Sequence, residues 1–510
     1  MIFGFKTLIY ALVGVVGAMV LTQTVFRGAL GLPKDLRNSL FSAALIVNAF
    51  FFLSPSPLIF LVGSAIALFF IGKGTNRAML GVFLLPLLPN TQMQFLSLPG
   101  INYLLPLSFQ MILAVTVFLP ALRGEGAVRL GGYKFFERAF LFLAFASILL
   151  AFRTDAITHN LRGALVTLLT FVVPFLAVVR SIDTREKFIL LFKVLIIALV
   201  IMACVAFVAQ QFWWDFYSGQ NQRLFGVSSL TKARGSLLRI TSTFGYAYIN
   251  VGILLVMGAL FSTAFAPKAK GLLSRYGLPA LLLFGALMTA SRSPYIAGIL
   301  ALPVLLTAFP NVLGKVMRFA LIGVVSIGLV SISPLGSGVA DFMPSFDSDE
   351  EQSYRSQLME VGIQEIRKKP LLGDEAYYEN PNFEVLRQGE GIIDFVNSYL
   401  EKALHYGVPL AALYLFLAVA PAFFIWRAAR KTAAEDTEWR FVGAALSAGL
   451  ICFAAGLFGT ATNGQTEDVQ YVVLAISICF LRINLATAPA KASNRRAYPG
   501  SAATLAPGAA

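Results

Sequence analysis

The sequence is short of charge. Asp, Glu, Lys and Arg make up 13% of its 510 residues, against 57% hydrophobic residues and a mean hydropathy of +0.76. A soluble chain of this size needs far more charge to cover its surface, so a soluble globular protein is excluded. Histidine is nearly absent: only His159 and His405 occur, which excludes a multi-histidine metal centre. Cys204, Cys452 and Cys479 lie far apart inside apolar runs, without a CxxC pair, and read as small packing residues. Missing too is any Lys/Arg block interleaved with aromatics. The net charge of +14 is instead scattered through short gaps between apolar runs. That pattern argues against nucleic acid as a partner and fits cytoplasmic loops beside anionic membrane lipids. No repeat of fixed period and no inverted duplication is visible.

What is present is a series of apolar runs, many near the roughly twenty residues that cross about 30 Å of hydrocarbon as a helix. Spans are expected near 6–26, 39–53, 57–72, 77–90, 102–122, 138–152, 161–179 and 188–211. Further spans follow near 244–265, 277–290, 294–309, 317–334, 396–426, 440–460 and 467–486. The Pro55/Pro57 and Pro86/Pro89 pairs mark broken or re-entrant segments, so the expectation is an all-α polytopic membrane protein with about 12–15 transmembrane helices. The first run follows only Lys6 and lacks a small-residue cleavage site, so it is expected to stay as a span. The Ala-, Ser- and Pro-rich tail, 487–510, is expected to be disordered and cytoplasmic.

Orientation follows from basic residues at span ends. Gaps holding Arg123, Arg129, Lys134 and Arg138; Arg180, Arg185 and Lys187; Lys268, Lys270 and Arg275; Lys315 and Arg318; and Arg427, Arg430 and Lys431 can all be cytoplasmic at once. Two long segments then fall on the opposite, periplasmic side. One lies near 212–243, within a first block of spans covering 1–335. The other is 336–395, too long for a simple connector, and is followed by C-terminal spans over 396–486.

The two outer segments carry opposite charge. The first holds Arg223, Lys232, Arg234 and Arg239 against Asp215 alone, in a place where basic residues are usually scarce. Arg292, between two apolar runs, is another exception. A guanidinium at membrane depth costs roughly 2.5–3.5 kcal/mol on insertion scales and so needs a partner or a wet cavity. Arginine keeps its charge and grips phosphate oxygens in a bidentate way, so these residues point to an anion at the membrane surface. The second segment holds half of the chain's 26 acidic residues. A helix is expected from Ser353 to Lys369, with Tyr354, Leu358, Val361, Met359, Ile363 and Ile366 as its apolar stripe. Basic residues end it and Pro370 stops it; it is expected to lie on the membrane as a lid.

At this point the residues resemble a known family, the bacterial O-antigen polymerases and O-antigen ligases. Its signature is an Arg, a helix, Pro-x-x-Gly, then His-Asn or Asp-Asn-x-Tyr-Leu and a later Gly. Here Arg355 is followed by Pro370-Leu371-Leu372-Gly373, Val396-Asn397-Ser398-Tyr399-Leu400 and Gly407. Arg239 to Phe244, followed by Asn250 and Gly252, is similar to the family's Arg…Gly-x-Phe…Asn stretch. Ser291-Arg292 is similar to its Ser-Arg-Gly. Together these cover about 240–410.

The resemblance implies a GT-C-like helical fold with a large outer catalytic loop, in the bacterial inner membrane, acting from the periplasmic side. It implies a glycosyltransferase that moves glycan from an undecaprenyl-diphosphate carrier without nucleotide sugar, metal or other cofactor. In that chemistry Arg239, Arg292 and Arg234 would hold the diphosphate, Arg355 would position the loop or a second carrier, and Asp394 with Asn397 would address the acceptor. Diphosphate leaves well once its charge is neutralised, and the attacking hydroxyl needs a base, for which Asp394 is the nearest carboxylate. The departure is Val396, where ligases carry a histidine; this favours a repeat-unit polymerase for O-antigen, capsule or exopolysaccharide. Expected partners are the lipid-linked donor and acceptor, membrane lipids, a chain-length regulator and a flippase. The alternatives are a ligase joining glycan to lipid A core or protein, and a transporter or flippase for lipid-linked sugars.

Overall fold

The apolar runs fold as the sequence predicts, into a helical bundle. A computed structural model of the chain describes residues 2–72, 76–96, 103–123, 132–153, 157–227, 233–234, 237–268, 271–307, 349–384, 386–387, 393–432, 436–462 and 464–487. Its helices are α1 (Ile2–Gln23), α2 (Lys34–Leu53), α3 (Pro57–Ile71), α4 (Arg77–Leu84), α5 (Phe109–Leu122), α6 (Lys134–Ala151), α7 (Ile157–Ser181), α8 (Arg185–Gln211) and α9 (Phe216–Phe225). They continue with α10 (Tyr248–Ser262), α11 (Leu272–Leu287), α12 (Ser293–Leu306), α13 (Asp349–Lys368), α14 (Ser398–Tyr406), α15 (Val408–Lys431), α16 (Thr437–Gly456) and α17 (Gly464–Thr487). Only two small antiparallel ribbons occur among the described residues, Met93–Phe95 with Leu105–Leu107 and Ala233–Arg234 with Leu237–Leu238.

Among the described residues eight helices are long and apolar enough to cross a membrane, and four shorter apolar helices accompany them. The protein is therefore an all-α polytopic membrane protein. The expected span near 317–334 lies outside the described residues. The core runs through α8, α10, α16 and α17, whose most apolar windows are 83% buried. The Pro86/Pro89 segment is broken as expected: α4 stops at Leu84, and residues 85–89 continue as buried non-helical chain. Freed backbone groups there must find partners within the protein. Gln465 Nε2 donates to the carbonyls of Leu88 (2.7 Å) and Leu85 (3.3 Å), and Thr243 Oγ1 donates to Pro86 O (2.6 Å).

The gaps sort to two ends. At one, Arg482 pairs with Glu137 (2.5 Å), Arg185 pairs with Asp436, and Trp439 Nε1 donates to Asn484 (3.0 Å). These joins gather three of the basic gaps. At the other end the gap after α6 meets the acidic segment, because Arg153 reaches the turn at Leu372 and Gly373.

One expected span divides. The run near 396–426 is two helices, α14 and α15, separated by Gly407 at φ +84°. Apolar residues continue across the break, so the hydrophobic pattern hides it. Helix α13 begins at Asp349 and keeps part of its expected stripe. Leu358 is buried, and Tyr354, Val361 and Ile366 pack against Tyr377, Phe383, Phe395, Leu400 and Leu404. Met359 and Ile363 stay 41% exposed. The acidic segment thus has a small core of its own, seated on α14.

Candidate functional site: an arginine layer beside a buried ion pair

The Pro-x-x-Gly stretch owes its residue types to a close approach of two backbones. After Pro370 the chain turns through Gly373 at φ +67° and lies against the end of α14. Asp374 N donates to Leu404 O (2.7 Å), and Val408 N donates to Pro370 O (2.8 Å). A Cβ on Gly373 would lie 2.5 Å from Leu404 O and 2.6 Å from Gly407 N. Both the positive φ and the contact demand glycine. Arg153, from the gap after α6, donates to the carbonyls of Leu372, Gly373 (3.1 Å) and His405 (3.0 Å). One guanidinium thus braces the turn and caps the His405 carbonyl at the C-terminal end of α14, where positive charge is favoured.

Asn397 starts α14. Its Oδ1 accepts from the backbone N–H of Tyr399 (3.0 Å) and Leu400 (3.2 Å), which is N-cap geometry. Next to it, Ser398 Oγ donates to Thr460 O (2.6 Å), and Tyr399 Oη donates to Ala454 O (2.9 Å). Asp394 is held by its backbone, whose N–H donates to the Tyr354 hydroxyl (2.9 Å) while its C=O accepts from it (3.1 Å). Its side chain is exposed.

The 457–462 turn joins this helix to the arginine segments. Asn250 Nδ2 donates to Ala461 O (3.3 Å), and Gly459 packs so closely on Ser293 that a Cβ would lie 2.8 Å from Ser293 Oγ. Ser293 follows Arg292. Ile240 N donates to Met288 O (3.2 Å), which docks the chain next to Arg239 onto the turn leading to Arg292. Arg239, half-buried, donates to the Tyr248 hydroxyl (2.6 Å) and lies over its ring at 4.8 Å. Its Nε is buried and has no partner among the described residues. Asp215, the sole acid of this outer segment, is occupied elsewhere. Oδ1 caps α9 at Ser218 N (3.4 Å), and Oδ2 accepts from Thr241 N (2.7 Å) and Oγ1 (2.6 Å). Burial pushes its carboxyl up, and the Thr241 bonds hold it down. Arg234 lies on the short ribbon paired with Leu237, and Arg355 is half-buried on α13.

A second assembly was not anticipated. Lys402 of α14 forms an ion pair with Glu467 of α17 (2.5 Å), and both side chains are largely shielded. Burial works against the Lys402 charge, yet Glu467, Tyr406 and Glu401 raise its pKa. Glu401, its neighbour, is pushed up to about 7 by burial, with Glu467 and Asp394 adding to the rise and Lys402 opposing it. Its Oε2 is buried and has no partner among the described residues. Burial, then Lys402 and Arg153, lower His405 to about 4, so its ring, stacked on Tyr406 at 4.2 Å, is neutral near pH 7. Val396, at the position where the resemblance would place a histidine, packs against the small core of the acidic segment.

Two signals could have found this assembly. Glu401, Lys402, Glu467 and Asp468 all fell inside or at the start of expected spans, where ionisable residues are functional candidates by default. Arg153 breaks the positive-inside pattern in the same way as Arg239.

A many-helix membrane protein with a folded segment docked at one end of its bundle is the class that the coordinates define. Residues 278–415 match the family model described as O-antigen ligase. That match supports assignment to the O-antigen ligase and polymerase family, whose members are membrane enzymes of glycosyltransferase type, and bears out the resemblance seen in the sequence. It takes in Arg292, Arg355, the Pro370–Gly373 turn, Asn397 and Lys402. No curated protein matches the chain.

Proposed function

We propose that this protein polymerises undecaprenyl-diphosphate-linked repeat units of a surface polysaccharide in the bacterial inner membrane, at its periplasmic face. The observation that carries the proposal is the arginine layer: Arg239 and Arg292 sit on chain segments that dock on each other and meet α14 through the 457–462 turn. An anionic leaving group needs such preformed positive charge, and Arg239 meets no carboxylate among the described residues.

In the step proposed, a hydroxyl oxygen of the incoming unit attacks the anomeric carbon of the growing chain. The bond from that carbon to the diphosphate oxygen breaks, and the electron pair leaves with the diphosphate, held by Arg239, Arg292 and Arg234. The hydroxyl proton passes to Asp394. The Nδ2 of Asn397, left over after its Oδ1 caps α14, donates to the acceptor, and Arg355 orients the acidic segment. Neither a nucleotide sugar nor a metal enters the step, and a flippase and a chain-length regulator would act before and alongside it.

Transfer of finished glycan to lipid A core or protein is the second reading; the description of the matched family favours it, and Val396 speaks against it. Deleting the protein separates the two. A lost polymerase leaves single capped units, whereas a lost ligase leaves carrier-linked polymer. For the chemistry, Arg239→Ala, Arg292→Ala and Arg355→Ala should each remove long-chain glycan from gels at wild-type protein levels. Normal polymer in all three defeats the proposal.

A further inference from the structure

A cavity of about 50 Å³ lies beside the Lys402–Glu467 pair. Its walls come from α6 (Phe140, Ala144, Ser147), α7 (Phe171), α14 (Tyr406) and the two long helices α15 and α17 (Tyr414, Tyr471). At roughly 10–15 Å³ of such space per water, it admits a few waters, or the hydroxyl-bearing edge of a sugar, but not a whole ring. Aromatic faces around a fixed charged pair are a chemistry that suits a hydroxylated ring, whose C–H faces pack on aromatics while its O–H groups seek an anion.

The carboxylate is held in an asymmetric way. Both Lys402 Nζ (2.5 Å) and Thr462 Oγ1 (2.8 Å) contact Glu467 Oε1. The contacts from both residues fall on this one oxygen, and Glu467 lines the cavity. Thr462 ends the same turn that contacts Asn250, Ser293 and Ser398, so the cavity adjoins the layer assigned to the carrier diphosphate and the acceptor. A purely structural ion pair in a protein interior is held in place by hydrogen bonds spread over its oxygens; here Lys402 and Thr462 both contact Oε1.

We propose that this cavity is an acceptor subsite, in which Glu467 Oε2 receives a hydrogen bond from a glycan hydroxyl while Lys402 and Thr462 fix the carboxylate. The inference rests on the glycosyl-transfer reading. Lys402 and Thr462 are positioning residues in it.

The test uses purified full-length protein in detergent and, as probe, carrier-linked repeat units extracted from a strain lacking the protein. Wild-type protein should lengthen them; if it does not, the glycosyl-transfer reading fails, and the subsite with it. Given wild-type activity, Glu467→Gln should raise KM for the units at least tenfold with a smaller change in kcat, and Lys402→Arg should restore more activity than Lys402→Met. A Glu467→Gln protein that unfolds at the wild-type temperature and keeps KM within twofold overturns the subsite. Where Glu467→Gln does not fold, Ala144→Leu decides: it narrows the cavity from α6 without touching the ion pair. A tenfold rise in KM upholds the proposal, and an unchanged KM overturns it.

Discussion

The arginine layer and the Lys402 assembly hold their charges in opposite ways. Arg239 leans on a phenol and leaves Nε without a partner among the described residues. The one acid nearby in sequence, Asp215, is spent on a helix cap and on Thr241. Lys402, by contrast, sits against Glu467 and beside Glu401, so its charge is answered within the protein. A cation left without an anion is poised for a ligand's negative charge, and a cation already answered is part of the scaffold. Removing a charge should therefore cost mainly function in the first region, and stability as well as acceptor binding in the second.

Lys402→Met is the strongest way to break that contrast. It leaves Glu467 buried without its cation, a loss on the order of 3–5 kcal/mol, to be read as a fall in the midpoint of thermal or denaturant unfolding in detergent. Arg239→Met should cost less than about 2 kcal/mol of stability, the size of a desolvated cation–aromatic contact. Equal destabilisation by the two would end the distinction.

Glu401 tests the same contrast through pH. Its folded pKa, about 7, lies above the ordinary glutamate value of 4.5. A carboxyl raised in this way stabilises the fold fully below pH 4.5 and ceases to do so as pH rises through 7. Glu401→Gln should thus be more stable than wild type at pH 8, by up to about 3 kcal/mol, and equal to it near pH 4. A constant difference across that range would show that the carboxyl is not the cause.

Gly373→Ala probes the turn that Arg153 braces. Left-handed backbone costs alanine roughly 1–2 kcal/mol, and its Cβ would press on Leu404 O and Gly407 N, so a loss of at least about 2 kcal/mol is expected. An alanine variant of wild-type stability would mean that the turn moves freely on α14.

The spans and the acidic segment were legible because composition and periodicity act locally: twenty apolar residues, or a stripe ending in Arg367-Lys368 before Pro370, carry their own physics. The arginines stood out because they defied that physics. The Lys402–Glu467 pair did not, since 65 positions separate the two residues and each looked like an ordinary span-end charge. Gly407 was hidden for a related reason. Hydropathy measures what a segment dissolves in, and a left-handed glycine that divides α14 from α15 leaves it unchanged.

Asn397 marks where the two readings of one residue meet, and it carries the smallest expected effect. The sequence points to a role toward the acceptor, whereas the folded chain shows Oδ1 serving as a helix cap. Asn397→Ala removes both cap and amide and should cost about 1 kcal/mol of stability. Asn397→Asp keeps a capping oxygen but loses the N–H donor. If the amide serves the acceptor, the Asp variant keeps its unfolding midpoint and makes several-fold less polymer. If capping is its whole task, the Asp variant makes polymer at the wild-type level, and the acceptor side of the proposed site reduces to Asp394 and the cavity at Glu467.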